Sequence, residues 1–339
     1  MLKPAIQSVL NQTFPAFQVY VCDNASNDDT KAVVSKLAKT DSRIKYYCHD
    51  ENIGAAANFD FGLNRVNTPF FSFLSDDDML LPNFLETAML SFSANPDAMF
   101  YAGLTIMVED NKVVNVAKEK GPFGCFSPPD GLMEILNTGG LIWTSIVFRS
   151  EVLDCVGMLD HETGIWSDVD FVLRIAAHYP IIISNEPSAI FAHHEQSLSS
   201  TTSDCSLIWP GFQRMIDKII LDECLSQDVR IQAQNKLIGF LHFQLRTFGE
   251  RAINNKEYDN IHEISELLAR YCKSNITSRL LIFLSKVRES SEHAYRLISL
   301  MRRLCIFGTS FRYVLANKKR LKNLQKQYGK YLRDLEKQV

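Results

Sequence analysis

Apolar and polar positions alternate in two periods over the first part of the chain. Short apolar runs typical of strands occur at residues 17–22, 43–47, 70–74, 99–108 and 113–116. Between them apolar positions recur at the helical period over residues 28–37 and 55–63, and Pro82 suits the first turn of a helix that runs to about residue 92. This alternation predicts an α/β fold with an open sheet flanked by helices.

The strand pattern stops near residue 205. Beyond it, the apolar period and the content of Leu, Lys, Glu and Gln predict only helices, at residues 207–224, 229–248, 258–272, 294–304 and 313–335. We therefore predict an α/β domain over residues 1–204 and a helical C-terminal region over residues 205–339.

Composition limits the class of protein. With 46% hydrophobic and 22% charged residues, the chain is globular and not disordered. The eight cysteines include no C-x-x-C pair, which indicates buried thiols in a reducing compartment. The N-terminus has no signal-peptide pattern, and no apolar run reaches the roughly 18 residues of a membrane span. We therefore expect a cytoplasmic protein.

Charge is unevenly distributed along the chain. The net charge of −3 argues against a nucleic-acid partner, yet residues 296–339 hold twelve Lys and Arg against two Asp and Glu. A basic amphipathic segment of this kind predicts peripheral contact with an anionic membrane surface, here the inner face of the plasma membrane. The alternative, a packed helix with a solvated basic face, fits the same pattern.

Three consecutive acids, Asp76, Asp77 and Asp78, follow the predicted strand at residues 70–74. Adjacent carboxylates repel one another, and a divalent cation offsets that repulsion. Hard oxygen ligands suit Mg²⁺ or Mn²⁺, ions that commonly share their coordination with a diphosphate. An N-cap with solvated acids at a helix start is the alternative.

Asp23 ends the strand predicted at residues 17–22. Helix capping accounts for the polar residues from Ser26 to Thr30, which come next. It does not account for Asp23, which the pattern leaves at the carboxyl edge of the sheet. Ligands of open α/β sheets bind at that edge.

Four motifs in order resemble the family 2 glycosyltransferases, an inverting class with the GT-A fold. They are Ser8-Val9-Leu10-Asn11-Gln12-Thr13-Phe14, Val21-Cys22-Asp23-Asn24-Ala25-Ser26, Asn52-Ile53-Gly54 with Asn58, and Leu74-Ser75-Asp76-Asp77-Asp78. The resemblance extends to about residue 200 and implies a GT-A-type sheet that binds a nucleotide-sugar donor, with UDP as the expected nucleotide.

The resemblance also implies roles for individual residues. Those expected to contact the donor are Asp23, Asn24, Asn52, Gly54, Asn58 and Asp76. Within this set Asp23 is expected at the base and Asp76 at the ribose. Asp77 takes the main metal-ligand position, with Asp76 and Asp78 beside it. Ser75 stands where the family most often has an acid, so which neighbour contacts the ribose is open.

A second helix start carries the expected general base. The segment from Trp166 to Arg174 resembles the Glu-Asp helix start of the family and places Asp168 at the base position. Asp168 would accept the proton of the acceptor hydroxyl. A position at a helix N-terminus is expected to favour its charged form. Asp170 is the alternative base, and an N-cap with an amphipathic helix is the structural alternative.

Two further features belong to the acceptor side of the expected site. Trp143 and Trp166 either stack on sugar faces or lie in the core, and the sequence is consistent with both. His194 matches the His of the family's His-x-x-Ser-x-Ser loop, which implies a metal or diphosphate contact. Sugar nucleotidyltransferase, P-loop and dinucleotide-binding functions are excluded because their glycine-rich phosphate loops are absent.

Relatives of this family begin with a strand that precedes the Ser8 motif, and here Met1 lies seven residues before Ser8. We therefore expect an N-terminally shortened domain whose neighbouring strands lack a partner. The function expected is transfer of a sugar from a UDP-sugar to a saccharide or lipid-linked acceptor, in bacterial surface polysaccharide synthesis. A weakened or non-catalytic protein that binds partners or membrane is the alternative.

Overall fold

The computed structural model describes residues 2–110, 112–117, 119, 121–138, 140–193, 205–293, 295 and 311–338. The chain forms two compact units. Unit 1 is drawn from Met1–His161, Ser167–His193 and Leu324–Val339, and unit 2 from Glu162–Trp166 and His194–Asn323. The predicted boundary near residue 205 stays a prediction, and the end of the chain belongs to unit 1.

Strands and helices are interspersed through the first 192 residues. In chain order the elements are α1 (Leu2–Leu10), β1 (Val19–Asp23), α2 (Thr30–Thr40), β2 (Ile44–Cys48), α3 (Ala55–Leu63), β3 (Phe70–Ser72), β4 (Met79–Leu80), α4 (Phe84–Ala94), β5 (Phe100–Glu109), β6 (Lys112–Ala117), β7 (Gly124–Phe126), α5 (Asp130–Thr138), β8 (Ile146–Arg149), α6 (Val152–Cys155), α7 (Ser167–His178) and β9 (Ile181–Ala192). Short 3₁₀ turns at Trp143–Ser145 and His161–Trp166 precede β8 and α7.

The helical C-terminal region was predicted correctly. Its described helices are α8 (Cys205–Leu221), α9 (Gln227–Asn255), α10 (Tyr258–Arg270), α11 (Asn275–Ser290) and α12 (Phe311–Gln338). The pattern missed α11, and the helix predicted at residues 294–304 lies almost wholly outside the described residues. No helix in the described part of the chain is both long enough and apolar enough to cross a membrane.

Two sheets form in unit 1. A parallel pair joins β1 to β2, with Val19 opposite Ile44. The second sheet runs β3-β8-β5-β9-β4, with β6 on β5 and β7 on β9. In the described residues β1 and β3 thus belong to separate sheets. The expectation that an opening strand is lacking stays a prediction.

The core lies around β5, β8 and β9, whose apolar runs are buried on both faces, as expected of central strands covered by helices. Phe100, Tyr101, Ile146 and Phe148 are fully buried there.

The end of α12 completes a second cluster in unit 1. Leu324, Tyr328 and Leu332 pack with Leu104, Ile106, Val108 and the buried valines of β6. Over this stretch the structure therefore shows a packed helix, the alternative that the basic pattern left open.

The cysteine prediction was wrong in one respect. None of the six cysteines described with their side chains is buried, and four of them, Cys48, Cys125, Cys155 and Cys224, are exposed. For Cys48 and Cys125, which lie on strands, apolar neighbours in sequence did not indicate burial, because alternate residues of a strand face opposite sides.

Gly103 allows β5 and β9 to approach each other. A Cβ at this position would lie 1.8 Å from Ser188 Oγ and 2.9 Å from the Glu186 carbonyl oxygen, and the β5–β9 register shifts between Ala102 and Leu104. We predict that Gly103→Ala lowers the free energy of unfolding by about 2–3 kcal/mol, because the two strands must separate.

Urea denaturation measures this effect. Ser188→Gly in the Gly103→Ala background should restore part of the loss, since it removes the nearest clashing atoms. Gly239→Ala in α9, where a Cβ meets nothing within 4 Å, is the control and should raise stability by about 0.5–1 kcal/mol. Equal effects at Gly103 and Gly239 would contradict the close approach.

Candidate functional site

Asp23 ends β1 with both carboxylate oxygens occupied. Its Oδ1 accepts a hydrogen bond from the Ser26 backbone N–H at 2.9 Å, and its Oδ2 accepts one from the Tyr46 hydroxyl at 2.6 Å. Burial raises the pKa of Asp23, but the hydrogen bonds from Tyr46 and Ser26 outweigh burial and hold that pKa below its usual value. Asp23 is therefore a fixed, ionised carboxylate at the end of the strand.

The predicted donor-binding asparagines meet beside β1. Asn24 Nδ2 donates to Asn52 Oδ1 at 2.9 Å, and Asn24 Oδ1 accepts from the Ile53 N–H at 2.9 Å. The same Asn52 oxygen accepts from the Gly54 N–H. Gly54 has φ +85°, a backbone conformation that side-chain-bearing residues rarely adopt. These contacts hold the loop that leads into α3.

Asn58 connects α3 to the same strand. Its Nδ2 donates to the Cys22 carbonyl at 2.9 Å, and its Oδ1 lies 3.2 Å from His49 Nε2. Asn58 precedes Phe59, whose ring stacks on Trp143 at 5.8 Å. The structure thus brings Asp23, Asn24, Asn52, Gly54 and Asn58 into one hydrogen-bonded group.

The three acids after β3 have different surroundings. Asp76 is exposed, Asp77 is half-buried and Asp78 is buried. Asp78 Oδ2 accepts from the Thr144 hydroxyl at 2.5 Å, and Asp78 Oδ1 accepts from the Ala192 N–H at 3.0 Å. Burial raises the pKa of Asp78 to about 6; these two hydrogen bonds oppose the rise, and the charges of Asp77 and Asp76 add to it.

The three carboxylates are not equally suited to bind a hard divalent cation. Asp76 is exposed and Asp77 is half-buried, and both oxygens of Asp78 hold hydrogen bonds within the fold. A site with one or two carboxylates, completed by water and diphosphate oxygens, is the arrangement that Mg²⁺ favours. The metal roles predicted for Asp76, Asp77 and Asp78 stay predictions.

Two buried residues of α1 and its end hold the segment that follows the acids. Ser8 Oγ accepts from the Leu80 N–H at 3.0 Å. The Gln12 side chain donates to the Leu81 carbonyl at 2.7 Å and accepts from the Leu85 N–H at 3.0 Å. Both residues belong to the motif Ser8–Phe14 noted in the sequence. The sequence did not show that they form hydrogen bonds to the segment after the acids.

Asp168 lies in the first turn of α7 and is half-buried. Burial raises its pKa to about 6, although a hydrogen bond from the Val169 N–H at 2.7 Å lowers it. The expected helix-terminus effect is therefore outweighed by desolvation. A carboxylate with a pKa near 6 is mostly ionised at neutral pH and basic enough to take a proton.

The alternative base, Asp170, has a different environment. Asp170 is 1% exposed, and its Oδ2 lies 2.8 Å from Arg174 Nε. Arg174 also donates to the Val156 and Met158 carbonyls, which fixes the loop before the 3₁₀ turn. Asp170 is engaged in a buried ion pair.

The two tryptophans separate in the structure. Trp166 is buried, donates to the Ile208 carbonyl at 3.0 Å and packs edge-on against Phe212. Of the two alternatives left open for Trp166, the structure therefore shows the buried core residue. Trp143 is half-buried and stacks between Phe59 and Phe171.

Trp143 also adjoins the acid cluster, because the next residue, Thr144, bonds Asp78. Phe171 belongs to α7, three residues after Asp168. A continuous chain of contacts thus joins the acid cluster to the helix of the expected base. His194 lies outside the described residues, so its predicted metal role stays a prediction.

Sequence reasoning missed a short polar contact beside this chain of contacts. Asp60 of α3 and His161 are joined at 2.5 Å between Oδ2 and Nε2. Thr105 and Ser145 were also missed; their hydroxyls lie 2.7 Å apart and fix the turn that carries Thr144. Isolated Thr, Ser and His residues gave no spacing signal for these contacts.

Comparison with known proteins places these features in a family context. Residues 1–157 match the model of glycosyl transferase family 2. The chain is 42% identical over 90 residues to the Campylobacter jejuni GalNAc(5)-diNAcBac-PP-undecaprenol beta-1,3-glucosyltransferase, covering 26% of this chain and 29% of that protein. It is 32% identical over 121 residues to the Escherichia coli UDP-Glc:alpha-D-GlcNAc-diphosphoundecaprenol beta-1,3-glucosyltransferase WfgD. This match covers 35% of this chain and 47% of that protein. The chain thus spans less than half the length of either relative.

Solved structures with low sequence identity share the fold. Residues 1–349 of S. aureus TarS superpose with a TM-score of 0.60 at 17% identity, covering 89% of this chain and 87% of that one. The Pyrobaculum calidifontis mannosyltransferase PcManGT, solved with GDP-Man and Mn²⁺, gives a TM-score of 0.54 at 13% identity. The superposition covers 96% of this chain and 83% of that chain. The predicted GT-A-like α/β fold is confirmed.

The buried Asp78 yields a prediction that separates its hydrogen bonds from its charge. Asp78→Ala leaves the Thr144 hydroxyl and the Ala192 N–H without their acceptor, so the free energy of unfolding should fall by about 2–3 kcal/mol at pH 7. Asp78→Asn keeps an acceptor for Ala192 and offers a donor to Thr144 without a buried charge, and should stay within about 1 kcal/mol of wild type.

Urea denaturation of both variants checks this expectation. Asp76→Ala removes an exposed carboxylate of the same cluster and should change stability by less than about 0.5 kcal/mol. Equal losses for the Ala and Asn substitutions at position 78 would show that the charge, and not the hydrogen bonding, holds this segment.

Proposed function

Because residues 1–157 match the model of glycosyl transferase family 2, we propose that the chain is a metal-dependent inverting glycosyltransferase. The proposed reaction moves a sugar from a UDP-sugar to a hydroxyl of a saccharide or lipid-linked acceptor. The observation that carries it is the chain of contacts from Asp78 through Thr144 and Trp143 to Phe171. It ties the acid cluster to the helix that opens beside Asp168.

The donor would occupy the carboxyl edge of β1. Each oxygen of the ionised Asp23 holds one hydrogen bond and has a second lone pair, and the amides of Asn24 and Asn52 carry further N–H donors, which together suit a nucleotide base and ribose. The TarS fragment, which has the same fold, was crystallised with UDP-GlcNAc. This supports a UDP-sugar as the donor class.

Asp77 and Asp76 would hold Mg²⁺ or Mn²⁺ beside the donor diphosphate. When bound, such an ion supplies positive charge that stabilises the departing diphosphate. PcManGT was solved with Mn²⁺, which supports this assignment. The buried Asp78 would not bind the ion; through its hydrogen bonds to Thr144 and Ala192 it would hold the backbone of this loop in place.

Asp168 would act as the general base in a single displacement. The acceptor hydroxyl oxygen attacks the anomeric carbon, its proton passes to the Asp168 carboxylate, and the bond from that carbon to the diphosphate oxygen breaks. Attack opposite the leaving group inverts the configuration. The buried Asp170–Arg174 pair would position this helix turn.

Two relatives support a lipid-linked acceptor, since both are named for sugar transfer to an undecaprenol diphosphate carrier. We accordingly propose a role in bacterial surface polysaccharide synthesis at the cytoplasmic face of the membrane. A non-catalytic binding module is the second candidate. The observation favouring it is that β1 and β2, which carry Asp23, pair only with each other among the described strands.

Release of UDP from a panel of UDP-sugars with Mn²⁺ distinguishes the two candidates. We expect Asp77→Ala to reduce release by at least about 100-fold and to weaken Mn²⁺-dependent donor binding. Asp168→Asn should lower turnover by about 100-fold or more with donor binding intact. Asp97→Asn, an exposed acid of unit 1, is the matched control. Stabilisation by UDP with no turnover would favour the binding module.

The pH profile tests the base independently. Because Asp168 has a pKa of about 6, its ionised, proton-accepting fraction grows from about one tenth at pH 5 to about nine tenths at pH 7, so kcat/KM should rise over this range and then level off. The kcat/KM measured is that of the acceptor, with Mn²⁺ and donor kept at saturating concentrations so that their binding does not limit the rate. Asp168→Glu should retain a sigmoidal profile with reduced turnover. A flat profile through this range would reject Asp168 as the base.

A further inference from the structure

The last part of α12 is fixed to unit 1 by its apolar side. Leu324, Tyr328 and Leu332 are buried in the cluster formed with β5 and β6. Gln325 Oε1 accepts a hydrogen bond from the Val113 N–H at 2.7 Å, which pins the helix to the edge strand β6. This apolar side is therefore not available for insertion into a lipid bilayer.

The opposite side of the same helix segment is basic. Lys326, Lys330 and Arg333 are exposed, and their spacing of four and three residues places them on one face of a helix. We name these three residues the basic stripe. From residue 319 to residue 333 the sequence contains six Lys and Arg and no Asp or Glu. The next acids along the helix are Asp334 and Glu336, at its end.

The rest of the chain has the opposite charge. The whole protein carries −3 and residues 319–333 carry +6, which leaves −9 on the remainder. An anionic surface therefore repels most of the molecule and attracts this segment. Such an uneven distribution orients a protein as it approaches a charged surface.

We propose that the basic stripe binds an anionic lipid bilayer by electrostatic attraction, without insertion of the helix. This inference rests on the proposed function, because a lipid-linked acceptor requires the site to work at a membrane. A bilayer is favoured over other polyanions for that reason. The contact is carried by cations alone, since the apolar side of the segment is packed in the core.

The packing also relates the stripe to the acid cluster. Met79 and Leu81, which follow Asp78, lie in the same apolar cluster as Leu324 and Tyr328. The helix that carries the stripe therefore separates the bilayer from this strand by about one helix diameter, 10–12 Å. A bound bilayer would lie close to the segment on which the acids stand.

Co-sedimentation of the full chain with vesicles tests the proposal. We expect binding to phosphatidylcholine vesicles containing about 30 mol % phosphatidylglycerol, no binding to phosphatidylcholine alone, and release when salt is raised to about 0.5 M. The triple variant Lys326→Glu, Lys330→Glu and Arg333→Glu should lose about 100-fold or more in vesicle affinity.

The matched control reverses three exposed lysines of α2, Lys31, Lys36 and Lys39, which changes net charge equally and should alter affinity by about twofold at most. UDP release without vesicles separates this proposal from the proposed function, because the stripe variant should keep it. Wild-type affinity in the stripe variant, an equal loss in the α2 variant, or stronger binding to RNA than to anionic vesicles would each overturn the proposal.

Discussion

The site depends on one buried carboxylate. Asp78 gives up solvation on entering the interior, and the Thr144 hydroxyl and the Ala192 N–H offset that loss with two hydrogen bonds. These bonds join three segments that are distant in the chain: the loop after β3, the turn before β8 and the end of β9. Asp78 faces inward, whereas Asp76 is exposed and Asp77 is half-buried.

The same loop is held from its other end by α1. Ser8 and Gln12 supply side-chain partners for backbone groups between Leu80 and Leu85, where strand β4 is only two residues long and pairs with β9. Buried backbone groups outside regular structure need such partners. The rigidity of the acid cluster thus comes from polar contacts on both sides, and the surrounding apolar core adds to it.

Much of the fold follows from periodicity, because long apolar runs such as that of β5 leave few alternatives. The grouping of Asn24 and Asn52 beside Asp23 was also predictable, since these residues occupy a familiar order along the chain, whereas their contacts with a donor stay a prediction. The short strand β4 lacks enough residues to show a period. The burial of Trp166 could not be read from sequence, because one aromatic residue has no periodicity and its partner Phe212 is distant in the chain.

Asp168 and Asp170 show why residue type alone does not assign a role. They lie in the same helical turn, yet Asp170 is held by Arg174 in a buried ion pair, which commits it to structure. Asp168 has no such cation among its contacts with the described residues, and burial raises its pKa to about 6. Desolvation without a paired charge makes a carboxylate more basic. The fold therefore separates two neighbouring acids into a structural anion and a carboxylate able to take a proton near neutral pH.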